Sequence, residues 1–175
     1  MKRVALLLAL ALAEPCLASV ILTEKEALER AFPGASFERK VLYLTDAQVD
    51  EIQKLARSRL PSAIVTMVTA RTGEQVAGRA YLDTHVVRTM PETVLTTLYP
   101  DGSVKAVFVL QFAEPTDYLP REKWLETFEG KPLDTDLWPG RGVRRVTGAT
   151  LTVQALTEAV RRSIAIDRIV HEEKR

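Results

Sequence analysis

Between Ala63 and Phe112 the hydrophobic pattern changes from a helical period to β-branched, apolar runs cut by turn signals. This change constrains the fold more than any other feature of the chain. Ala63 to Ala70 is one such run, Thr72-Gly73 supplies a turn, and Val76 to Asp83 continues as a second strand. Thr93 to Tyr99 and Val104 to Phe112 flank Pro100-Asp101-Gly102, where proline presets φ and glycine tolerates φ > 0. The four segments predict two hairpins of one antiparallel sheet.

Helical signals bracket that region. Thr23-Glu24-Lys25-Glu26 is a capping box opening a short helix with Ala27, Leu28, Ala31 and Phe32, and Pro33-Gly34 ends it. Thr45-Asp46-Ala47-Gln48 is a second capping box, followed at helical spacing by Val49, Ile52, Leu55 and Ala56. The segment between them, Phe37 to Leu44, reads equally as a strand or as an extended approach to the second helix. Pro120 opens a short helix through Trp124, Leu125 and Phe128, stopped by Gly130 and Pro132. The last element runs from Leu151 to Glu173, with Val153, Leu156, Val160, Ile164 and Ile169 as its apolar stripe. Helices at both ends of a central antiparallel run predict a single α+β domain.

The N-terminus reads as a leader. Lys2-Arg3 is a positive start, and Val4 to Ala13 is an apolar run of about ten residues, in the range of a signal-peptide core. That is short of the roughly 20 residues of a membrane-spanning helix. Cys16-Leu17-Ala18 places small residues before a cut, so residues 1–18 are expected to be a signal peptide and Ser19 the mature N-terminus. Lipidation at Cys16 fits less well, because Glu14-Pro15 precedes it, and an uncleaved anchor stays open. Residues 19–175 then form one exported domain, and the mature chain holds no cysteine.

Most site chemistries find no support in the residues. Two histidines, His85 and His171, and one cysteine leave no pair with metal-ligand spacing, and too few thiols for an iron–sulfur cluster. Gly140 and Gly142 begin a dinucleotide fingerprint that Arg145 breaks, and Gly130-Lys131 lacks a phosphate-loop context. A net charge of +1 without a basic, aromatic-interleaved run offers no footprint for nucleic acid. His85, near Asp83 and Thr84 at a strand end, reads as a surface polar residue rather than a proton donor.

One segment carries sharper chemistry. Thr147-Gly148-Ala149-Thr150-Leu151-Thr152 leads from a turn-forming cluster into the last helix. It sets hydroxyls and free backbone N–H groups at a helix N-terminus, where hydrogen bonding and the helix dipole both favour a phosphate. Gly148 allows close backbone approach and Ala149 adds no bulk. Arg144 and Arg145 stand just before as partners for phosphate oxygens. From the residues alone, a threonine helix cap followed by a solvated basic loop explains the same letters.

Thr-Gly-Ala-Thr at 147–150 resembles the flavinylation motif, Asp-x-x-Ser/Thr-Gly-Ala-Thr, of the FMN-binding domain family. That family includes the FMN-carrying subunits of the Rnf and sodium-translocating NADH:quinone reductase complexes. Further segments are similar to it: Leu22-Thr23 through Phe32-Pro33-Gly34, the Leu44 to Ala56 helix and the Gly78-Arg79-Ala80-Tyr81 strand. Asp101-Gly102-x-Val104 and Trp124-Leu125-x-x-Phe128-x-Gly130-Lys131 extend the likeness over most of the mature chain. The resemblance implies an FMN phosphoester on Thr150, made by a separate flavin transferase that uses FAD and releases AMP.

It also implies a phosphate seat at Thr147, Gly148, Ala149, Leu151 and Thr152, with Glu114 and Thr116 as contacts of the flavin ring. Trp124 or Tyr118 would supply an aromatic wall, although Trp124 on an amphipathic helix also reads as ordinary core. Arg144 stands where the family has aspartate, and Glu114-Pro115-Thr116-Asp117 departs from its Glu-Thr-Pro-Gly loop. No second domain is available to bind a substrate, which favours an electron carrier, served by a redox partner such as a membrane complex, over a complete enzyme. A non-covalent flavin or ligand module, and a partner-binding domain without flavin, are the alternatives.

Overall fold

The computed structural model describes residues 19–172. The expected leader, residues 1–18, and the expected last helical residue, Glu173, lie outside the described residues. The strands are β1 Ser19–Val20, β2 Ser36–Tyr43, β3 Ile64–Thr72, β4 Gln75–Val87, β5 Met90–Leu98 and β6 Val104–Phe112. They form one six-stranded sheet in the order β1-β6-β5-β4-β3-β2, antiparallel at every junction. The helices are α1 Glu24–Ala31, α2 Asp46–Ala56, α3 Glu122–Leu125 and α4 Thr150–Glu172. The fold is α+β, as the change of period predicts.

Local chemistry accounts for most boundaries. Thr23 and Thr45 each accept from the third helical amide, and Glu26 and Gln48 reach back to complete both capping boxes. Phe37 to Leu44, ambiguous in sequence, resolves as β2, paired along its length with β3. The junction between the hairpins differs from expectation. The sequence pattern ends the second strand at Asp83 and starts the third at Thr93, yet β4 runs on to Val87 and β5 starts at Met90. Arg88 and Thr89 make the connection, with Arg88 at φ 52. A turn without glycine or asparagine gives no sequence signal, and Pro91 argues against a strand unless it sits near a strand start, as here.

Alternation along the strands divides the core into two layers. Met67, Tyr81, Val94 and Leu98 face α2 and the stripe of α4. Val68, Ala80, Leu95 and Leu110 face Ala27 and Leu28 of α1. Gly78 permits the close approach of Phe32 just past α1, since a Cβ there would collide with the Leu98 carbonyl oxygen and fall 2.5 Å from the Phe32 ring.

The direction of α4 over β4 fixes where the candidate site lies. Asp167 near the helix C-terminus meets Arg79 and Tyr81, whereas Arg162, further back, meets Asp83. Ala155 and Glu158 line a cleft with His85. The helix therefore runs opposite to β4. From Arg162 back to Thr150 it covers about 18 Å, and the strand from Asp83 to Arg88 covers about 16 Å. The start of α4 and the β4–β5 turn thus lie at the same end of the sheet.

Candidate functional site

The approach to α4 is a tight turn. Gly148 takes φ 84, and the Ala149 amide donates to the Val146 carbonyl at 3.2 Å. The first intrahelical bond runs from Val153 N to Ala149 O at 2.9 Å, which makes Ala149 the cap residue. Alanine has no side-chain acceptor, so the amides of Thr150, Leu151 and Thr152 precede the helical ladder without a side-chain cap at that position. Thr147, Gly148 and Thr150 are exposed, Leu151 is 49% exposed, and Ala149 and Thr152 are buried. A Cβ on Gly148 would meet nothing within 4 Å, so its role is the positive φ rather than close packing within the protein.

The loop before this turn is held from two sides. Trp124 Nε1 donates to the Arg144 carbonyl at 2.7 Å, and the buried indole packs edge-on against Phe128 with ring centres 5.2 Å apart. Trp124 is therefore placed in the core as an anchor for the loop. Buried Arg161 donates to the Ala56 carbonyl at 2.7 Å and to the Asp134 carbonyl at 2.8 Å, tying the loop and the end of α2 to α4. Arg144 and Arg145 are exposed, with the Arg145 guanidinium against Gly140.

The segment after β6 reaches the same end of the sheet. Ala113 N donates to the Pro91 carbonyl at 3.2 Å, and the Arg88 guanidinium lies 4.4 Å from the Tyr118 ring centre. Thr116 is exposed, Tyr118 is half-buried, and the inner oxygen of Glu114, Oε1, is buried with no hydrogen-bond partner. Glu114, Thr116 and Tyr118 thus share the end of the sheet at which Thr150 begins α4.

A buried ionic chain adjoins this region, and sequence reasoning missed it. Arg162 Nε and Nη2 donate to the two Asp83 carboxylate oxygens at 2.6 and 2.8 Å, and Nη1 donates to Ser58 Oγ at 2.8 Å. His85 Nδ1 lies 2.9 Å from Asp83 Oδ1, and Nε2 lies 3.1 Å from Glu92 Oε2. The His85 side chain, 8% exposed, thus bridges two carboxylates, where a surface residue was expected. Period-2 alternation does carry the signal, because Tyr81, Asp83 and His85 share a strand face. A cleft of about 540 Å³ opens beside the chain, lined by residues that include Ser58, Pro61, His85, Pro91 and Ala155.

No protein-family model matches this chain, and no curated protein matches it. Among the described residues, no group of three or more His, Cys, Asp or Glu side chains is arranged to hold a metal ion.

The electrostatics of the buried chain have a measurable consequence. Burial pulls the His85 pKa down, but hydrogen bonds to Asp83 and Glu92 outweigh it and raise the value to about 9. Burial pushes Asp83 up, but hydrogen bonds from Arg162 and His85 prevail and lower it to about 2. The His85 contribution is fully present below its ordinary value of 6.5 and is lost as pH rises through 9. The Asp83 contribution is present above 3.8 and is lost as pH falls through 2. Stability is therefore expected to decline between pH 6.5 and 9, by an amount on the order of 3 kcal/mol from His85. Thermal melts across that range should show the decline, and His85→Gln should flatten it. A flat wild-type profile would refute the charged bridge.

Proposed function

We propose that this protein is an exported electron-transfer domain carrying FMN, joined through its phosphate to the Thr150 side chain. One observation carries the reading: α4 begins with an exposed threonine at its first position, behind an alanine cap that leaves the first-turn amides available. Those amides and the positive end of the helix suit a phosphate. The exposed Thr150 is accessible to a modifying enzyme, and exposed Arg144 and Thr147 precede it in the chain as further donors.

Within this reading the amides of Thr150, Leu151 and Thr152 hold the phosphate, and Glu114, Thr116 and Tyr118 lie at the same end of the sheet for the ring. Bound FMN would supply the redox chemistry, while the chain supplies position and electrostatics. Threonine is a poor nucleophile, so a flavin transferase makes the bond, and a redox partner such as a membrane complex exchanges electrons with the carrier. The leader-like N-terminus supports a location outside the cytoplasm. Among the described residues no helix is long and apolar enough to cross a membrane.

Arg144, at the position where the family carries aspartate, favours a second reading in which flavin is held without a covalent bond. Intact mass of the chain co-expressed with a flavin transferase separates the two. A gain of one FMN less water supports the covalent reading. Yellow protein that releases its colour on denaturation supports the second, and colourless protein of unchanged mass sinks both.

A further inference from the structure

Two carboxyl oxygens at the β4–β5 end of the sheet are buried without partners: Oε1 of Glu92 and Oε1 of Glu114. Glu92 is only 1% exposed. It pairs in register with Phe112, and just past β6 the Ala113 amide donates to the Pro91 carbonyl at 3.2 Å, which brings Glu114 to the start of β5 beside Glu92. Each carboxyl thus keeps an unpaired, buried acceptor oxygen at this end of the sheet.

We propose that Glu92 and Glu114 form an acid–base site that shares one proton between these two inner oxygens. Two bare carboxylates side by side in a buried setting repel, and an unpaired buried acceptor keeps its desolvation penalty. One proton relieves both, turning one oxygen into a donor and leaving the other to accept. A tally of charge supports this. β4 contributes Asp83 and His85, β5 contributes Glu92, the segment after β6 contributes Glu114, and α4 contributes Arg162.

Three carboxylates therefore face two cations, one positive charge short of balance. Glu158 of α4, 3.9 Å from Arg162, adds negative charge, and Arg88 in the turn is engaged over Tyr118. Burial raises Glu92 above its ordinary value, and Asp83 and Glu114 add to the rise against the opposing pull of His85. The other Glu92 oxygen is held by His85, which is held by Asp83, itself held by Arg162, so Glu92 sits on a fixed scaffold. A shared carboxyl proton can serve a bound group whose basicity changes when it gains or loses electrons. That use rests on the flavin reading, whereas the shared proton does not.

The test is a pH titration by carbon NMR of glutamate carboxyl-labelled protein, without flavin. The shared proton is expected to hold the Glu92 carboxyl well above the ordinary glutamate value of about 4.3. Glu114→Gln, which supplies an amide donor and removes the like charge, should bring the Glu92 step down. A Glu92 step at the ordinary value in the wild-type chain overturns the proposal without any variant. So does a raised Glu92 step that Glu114→Gln leaves unmoved. Because no flavin is present, these outcomes are independent of whether Thr150 is ever modified.

Discussion

Arg162→Met is expected to lower the stability of the domain by about 3–5 kcal/mol, a fall in melting temperature on the order of 10 °C. The guanidinium is almost wholly buried and makes two hydrogen bonds to Asp83 and one to Ser58. Methionine fills a similar volume, so the loss is electrostatic rather than a cavity. It strands a carboxylate that burial would otherwise drive towards protonation, leaving only His85 to support it. The double variant Asp83→Leu/Arg162→Met removes both charges and is expected to recover much of the loss, because a buried pair adds little net stability over apolar packing. A double-mutant cycle on melting curves reads the coupling directly. If Arg162→Met costs under about 1 kcal/mol, the pair is not the buried anchor its geometry implies.

What the sequence conveyed follows from which signals are local. The two capping boxes, the Pro100-Asp101-Gly102 turn and the α4 stripe each declare themselves within a few residues, and each is present in the fold. The β4–β5 turn at Arg88-Thr89 did not, because a left-handed residue that is not glycine or asparagine depends on its strands rather than on itself. The buried chain was hidden for a related reason. Asp83 and Arg162 are far apart in sequence, and a charged residue on an otherwise apolar face looks like a break in the pattern until its partner is placed. The start of α4 was legible as a helix N-terminus, but its cap was not. Threonine is the usual cap, and only the Val153-to-Ala149 bond shows that alanine takes the position.

These two features occupy one end of the molecule for a structural reason. α4 is long enough to pin itself to β4 at Asp167 and Arg162 and still extend its first turns to the β4–β5 end. Ion pairing along the middle of the helix thus sets where its N-terminus sits, so stability and site placement share the same residues.

On the proposed function, Thr150→Ala is expected to abolish covalent attachment completely while leaving the fold intact. The threonine is exposed at the first helical position, and the cap bond is made by the Ala149 backbone, which the substitution does not touch. Alanine is the better helix former by a few tenths of a kcal/mol, so the melting temperature should hold or rise slightly. Intact mass and melting curves on the same preparation then separate chemistry from structure. Thr147→Ala is the control, since it keeps the attachment hydroxyl and should retain the added mass. Arg144→Asp introduces the charge that the resembling family has at that position and should raise the modified fraction if a transferase reads it. Added mass that persists in Thr150→Ala would place the attachment elsewhere and refute Thr150 as its site.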